Sequence, residues 1–247
     1  MLEASRRAIL ARLEESDRVL DVGGWSSPFP RADWVLDLNP YATRGRYGYS
    51  DADRAAERFG ADTWVQRDAC AAEPWPWPDD HFDFAISSHT LEDLRDPLRV
   101  CAELGRVARA GYIEVPSRLE EQARWVSGPW AGWSHHRWIC DVRDGRIELV
   151  FKGDLLHARR DLQVPRRVWA RAGAAGRAQA LWWEGAPDAA ETVFVENSDY
   201  ARWLAEGAPV RGASPGSRVL AARDAAVQLG FRAADRLMRR GLSADER

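Results

Sequence analysis

Three aspartates stand where short apolar runs stop. Asp21 follows Val19-Leu20 and leads through Val22 into Gly23-Gly24, Asp37 closes Trp34-Val35-Leu36, and Asp68 ends Trp64-Val65-Gln66-Arg67. A fourth run, Phe82-Asp-Phe-Ala-Ile86, ends in Ser87-Ser88-His89. An acid followed by two residues without Cβ lets a ligand approach the backbone closely. A carboxylate closing a second strand can accept both hydroxyl hydrogens of a ribose, and Asp68 could accept from an adenine amino group. Small hydroxyls and an imidazole at the end of the fourth run would face the same crevice. Three of the five histidines fall where a base could reach a second ligand: His89, and the adjacent pair His135-His136. An imidazole near pKa 6.5 takes a proton from a hydroxyl or ammonium at neutral pH; a hydrogen bond to Thr90 or Glu92 is an equal account of His89. Adjacent histidines without a spaced carboxylate or cysteine do not argue for a metal, and none is expected.

The elements that must position these residues follow from their patterning. A leading helix is expected over 2–15, then strands at 18–22, 34–38, 64–68, 82–88 and 112–116. Between them lie a helix over 51–59 with an aspartate cap and one opened by Asp96-Pro97, carrying Leu98, Cys101, Leu104 and Ala108 and ended by Gly111. Strands alternating with helices predict a parallel sheet with right-handed crossovers. The fold expected is α/β, a Rossmann-like, doubly wound, mostly parallel sheet. Residues 136–152, turning at Asp144-Gly145, form an antiparallel hairpin at one sheet edge. C-terminal additions comprise a second hairpin (180–184 with 191–195), loops over 155–178 and 205–217, and a helix over 217–239. Residues 1–160 would make the main domain and 161–247 an extension packed on it.

Composition narrows the classes. With 247 residues, 45% apolar and 30% charged, the proportions are globular. Thirty-five basic against 38 acidic residues leave a net charge of −3, so no global field draws nucleic acid or anionic lipid. Cys70, Cys101 and Cys140 are far apart and odd in number, which argues against a disulfide framework and for a reducing, cytoplasmic setting. No run approaches the roughly 18–20 apolar residues that cross a bilayer.

Taken in order, VLDVGG, VLDLNP, VQRDA, FDFAISSHTLEDLRDP and GYIEVP resemble a class I S-adenosylmethionine-dependent methyltransferase of the type 11 domain group. The resemblance covers roughly 17–117. It implies S-adenosylmethionine as cofactor, with Asp21, Gly23 and Gly24 along the methionine portion, Asp37 with Leu38 at the ribose, Asp68 with Ala69 at the adenine, and Ser87, Ser88 and His89 on the wall between cofactor and acceptor. The sequence departs from the pattern after Gly24, where Trp25-Ser-Ser-Pro-Phe-Pro30 replaces a full helix. About ten residues reach the second strand, so that helix must be a single turn or absent.

The activity expected from the resemblance is methyl transfer to an oxygen or nitrogen of a small-molecule acceptor such as a saccharide, a lipid-linked intermediate or a secondary metabolite. The other reading is a non-catalytic binding module. Arg124-Trp125, Trp130, Trp133 and His135-His136-Arg137-Trp138 could wall an acceptor, with Arg118, Arg124 or Arg137 holding an anionic group and Glu120 or Glu121 an amine. Packing of a lid explains the tryptophans equally well.

Overall fold

The computed structural model describes residues 1–207; the helix expected over 217–239 lies outside them. Helix α1 (Glu3–Arg12) precedes β1 (Val19–Val22), β2 (Trp34–Asp37), α2 (Asp51–Ala55), β3 (Trp64–Gln66), β4 (Phe82–Ser88), α3 (Pro97–Val107) and β5 (Ala108–Pro116). Then follow α4 (Arg118–Gln122), β6 (Trp138–Arg143), β7 (Arg146–Phe151), α5 (Asp154–Ala158), α6 (Arg166–Arg177), β8 (Ala178–Glu184), β9 (Asp188–Glu191) and α7 (Asn197–Gly207).

Six strands form the main sheet in the order β3-β2-β1-β4-β5-β8. The first five are parallel and β8 runs antiparallel along β5. The strand order reverses between β1 and β4, the switch point outside whose carboxyl ends ligands bind in such sheets. Period-two alternation then sorts side chains between two layers. Val19, Val35, Ile86 and Tyr112 pack with Ile9 of α1, while Leu20, Val22, Leu36, Ala85 and Ile113 pack with Val100 and Leu104 of α3. The same alternation turns Asp21, Asp37, Ser88 and Glu114 toward the α1 face.

Five local expectations change. The cap of α2 is Ser50, whose hydroxyl accepts from the Asp53 amide while Asp53 returns a bond to the Ser50 amide, a capping box that an aspartate at 51 could not close. Gly111 does not end α3, which stops at Val107; it lies inside β5, where a Cβ would come within 2.3 Å of both the Ala85 carbonyl oxygen and the Trp183 ring. The 136–152 hairpin forms as expected, with Asp144 at φ 50° and Gly145 at φ 77° in its turn. It does not extend the main sheet, however. It builds a second sheet, β6-β7-β9, in which β9 runs parallel to β7. The expected 180–184/191–195 hairpin is therefore split: β8 completes the main sheet and β9 the small one. Residues 155–177 hold α5, a 3-10 turn at Arg160–Leu162, and α6 rather than loop throughout.

Candidate active site

The first crossover positions everything else. Gly23 adopts φ 81°, and Gly24–Ser26 make one 3-10 turn, the single turn that the short spacing requires. Both glycines are set by packing as much as by any ligand. A Cβ on Gly23 would lie 2.1 Å from the Thr90 hydroxyl, and one on Gly24 2.2 Å from Asp21 Oδ2. The chain then folds back so that the Phe29 amide donates to Asp21 Oδ2 at 2.8 Å. Asp21 is almost wholly buried, and burial pushes its carboxyl up to about 7, against the Phe29 hydrogen bond and with Asp37 adding to the rise.

A cleft of about 410 Å³ opens beside this turn. Asp21, Gly23, Gly24, Ser88 and His89 line it from the sheet, Tyr49 and Asp53 from the segment around α2, and Glu3 and Arg6 from α1. Its size falls within the range of small-ligand sites. Arg6 pairs with Asp53 at 2.7 Å, tying α1 to α2 across the opening.

At the inner wall, His89 stands at φ 54°. Its Nε2 lies 3.1 Å from Glu114 Oε1 and its Nδ1 3.6 Å from Glu92 Oε1. Burial works against a charged ring, but the two carboxylates outweigh it and raise the imidazole to about 9. Glu114 in turn is held down to about 2 against its burial by His89 and by the Tyr112 hydroxyl, which donates to Oε2 at 2.7 Å. The resting ring at neutral pH is therefore an imidazolium, and its neutral, proton-accepting form is the minor one.

Of the twelve residues expected at the site, the cleft gathers Asp21, Gly23, Gly24, Ser88 and His89. Ser87 is not on the cleft wall with Ser88, because adjacent strand residues point to opposite faces; its buried hydroxyl has no hydrogen-bond partner. Asp37 closes the crossover: Oδ2 accepts from the Trp25 amide at 3.0 Å, and Oδ1 from the Asn39 amide and side chain at 2.7 and 3.1 Å. Leu38 beside it leaves two thirds of its surface bare, an apolar patch at the end of β2. Asp68 accepts from the Cys70 amide and pairs with Arg95 at 2.5 Å; these bonds overcome burial and lower its pKa. Ala69 is nearly buried, its carbonyl taken by the Trp75 indole. His135 and His136 lie outside the cleft lining, beyond the turn that follows β4. His135 is exposed, whereas His136 Nδ1 lies 2.6 Å from Glu121 Oε1.

The wall proposed for an acceptor is divided. Trp125, Trp130 and Trp133 are exposed. Arg118 is not available to an anion: it is buried, pairs with Asp141 at 3.1 Å, donates to the Trp203 carbonyl and stacks on the Trp203 ring. Glu120 accepts from the indoles of Trp133 and Trp169, and Glu121 from Lys152 Nζ at 2.6 Å. Lys152 is the sole lysine of the chain. Sequence reasoning missed Glu114 as the partner of His89, although the alternation of β5 places it on the Asp21 face, and it missed Tyr49, on the loop before α2, and Asp53, in the first turn of α2.

Residues 43–113 match the family model described as a methyltransferase domain. The match spans less than a third of the 247 residues. The match takes in β3, β4, α3 and most of β5 and begins after the glycine turn. No curated protein matches. Among solved structures, an S-adenosylmethionine-dependent methyltransferase from Mesorhizobium loti is 21% identical, with a TM-score of 0.34, over 59% of this chain and 63% of that one. An S-adenosylmethionine-dependent methyltransferase from Thermotoga maritima is 22% identical (TM-score 0.30; 45% and 48% covered). An arsenic(III) S-adenosylmethionine methyltransferase from Chlamydomonas reinhardtii is 20% identical (0.31; 46% and 49%). The chain spans about half the length of most of the solved structures it matches. Among the described residues no helix is long and apolar enough to cross a membrane.

Proposed function

We propose that the protein binds S-adenosylmethionine in the cleft at the β1–β4 switch point and transfers its methyl group to an oxygen or nitrogen of a small-molecule acceptor. The observation that carries the reading is the convergence of Asp21, Gly23, Gly24, Ser88 and His89 on one opening of suitable volume. The residues fit the methionine half of the cofactor: a buried carboxylate with a raised pKa is stabilised as an anion by an ammonium or sulfonium beside it. When bound, the cofactor supplies a methyl made electrophilic by its positively charged sulfur. The protein's part is alignment and proton removal. Glu114 holds His89 through Nε2; the proton exchanged with an acceptor would be the one on Nδ1, which lies 3.6 Å from Glu92 Oε1. Because the ring titrates near 9, turnover should climb with pH up to about that value and flatten above it. A pH–rate profile checks this; a flat profile between pH 6 and 9 removes His89 as the base, and His89→Gln should abolish the slope.

Calorimetry with S-adenosylhomocysteine tests the cofactor assignment. One site per chain is expected, weakened roughly tenfold or more by Asp21→Ala. No heat with the wild-type chain sinks the reading. One observation favours the alternative of a binding module without turnover: the acid expected at the ribose, Asp37, already serves the Trp25 and Asn39 amides. Formation of S-adenosylhomocysteine with any acceptor excludes that alternative.

A further inference from the structure

The carboxylate that the spacing of His135-His136 lacks in sequence is supplied in space. Asp93, in the 3-10 turn Leu91–Asp93 after β4, brings Oδ1 to 4.0 Å from His135 Nε2 and 3.9 Å from His136 Nε2. The three atoms lie within 4.8 Å of one another. These gaps are too long for hydrogen bonds, so the three polar atoms face a common point without satisfying each other. We infer that Asp93, His135 and His136 bind a divalent transition-metal ion, zinc in the first instance, with water completing the coordination.

Three independent features point to a cation there. First, His136 is already arranged as a ligand. Its Nδ1 is hydrogen-bonded at 2.6 Å to Glu121, whose other oxygen is fixed by Lys152. A carboxylate on the far nitrogen sets the tautomer that leaves the Nε2 lone pair outward and raises its basicity, the arrangement usual behind a metal-bound histidine. Second, the two imidazole planes stand at 85° with centroids 4.6 Å apart, so the rings approach one point from different directions instead of stacking. Third, a buried carboxylate without hydrogen bonds lies next to the cluster. Glu92, fully buried next to Asp93 in sequence, receives no hydrogen bond on either carboxylate oxygen, and its nearest cationic group is the His89 ring at 3.6 Å. Bonds of about 2.1 Å to nitrogen and oxygen ask each ligand to close in by only a fraction of an ångström. Two histidines and one carboxylate with open positions is a ligand set used by zinc and by other first-row metals.

The site stands whether or not the methyl-transfer reading holds, and its test contains no cofactor. The full chain, stripped with a chelator, is titrated with Co²⁺ while visible absorption is recorded, and with Zn²⁺ in a calorimeter. A saturable band at one equivalent, displaced by Zn²⁺, is expected. Asp93→Asn and His135→Ala, both at exposed positions, should each weaken binding about tenfold or more with unchanged far-ultraviolet circular dichroism, and His157→Ala should leave it unaltered. Absence of a band and of heat, or equal affinity in the Asp93→Asn/His135→Ala double variant, overturns the assignment.

Discussion

At the scale of single residues, burial decides which charges do chemistry and which do structure. Asp21 was legible in the sequence because a charged residue between Leu20 and Val22, before a glycine pair, has no place in an ordinary strand. What could not be read is its partner: the Phe29 amide reaches it only because the crossover folds back. Its raised pKa has a signed consequence. A carboxyl that titrates near 7 when folded and near 3.8 when unfolded binds its proton more tightly in the folded chain. Its contribution to stability is thus fully present below about 3.8 and is lost as pH rises toward 7. Asp21→Asn removes that loss, so the variant should gain on the wild type by about 1 kcal/mol or more between pH 5 and pH 8. Urea unfolding at the two pH values measures it, and a difference that does not change with pH refutes the claim. His89 and Glu114 run the other way. The histidine's contribution is present below 6.5 and lost as pH rises through about 9; the carboxylate's is present above 4.5 and lost as pH falls through about 2. Both contribute between about pH 4.5 and 6.5.

At the scale of elements, the parallel strands were legible because each is a short apolar run closed by a polar residue, and the one-turn crossover because nine residues cannot hold a helix with two prolines among them. Gly111 was misread as a helix stop because sequence shows a missing side chain without showing what lies opposite. In the sheet, β5 is squeezed between the Ala85 carbonyl of β4 and the Trp183 indole of β8, which lies directly across in register. Gly111→Ala therefore inserts a methyl where neither neighbour can retreat without moving a strand. Overpacking of this kind costs typically 1–3 kcal/mol. A lowered thermal midpoint, with Trp183→Leu partly restoring it, is the expected result; an unchanged midpoint would mean that the strands part easily.

At the scale of the whole molecule, a linear reading hid the way in which the chain after residue 160 returns to the first half. Strands β8 and β9 are separated by three residues in sequence, yet β8 pairs with β5 and β9 with β7, so one turn at Gly185 stitches the two sheets together. The stitch is packed as well as paired. Cys140, Ile147 and Leu149 of the small sheet share a single core with Leu20, Leu104 and Ile113 of the main one. A buried ion pair reaches further: Arg118 after β5 meets Asp141 of β6 and the Trp203 ring of α7. Removing one partner of such a pair strands the other charge in the core, which costs more than the pair contributes. A fragment ending at residue 160 would lose β8, exposing the whole edge of β5 and the Trp183 side of the core, and would lose α7 behind Arg118. It should therefore be unfolded or aggregated, while the full chain unfolds in one transition in which near- and far-ultraviolet circular dichroism coincide. A folded 1–160 fragment, or two separated transitions in the intact chain, would show that the sheets are energetically independent in spite of the strand that crosses between them.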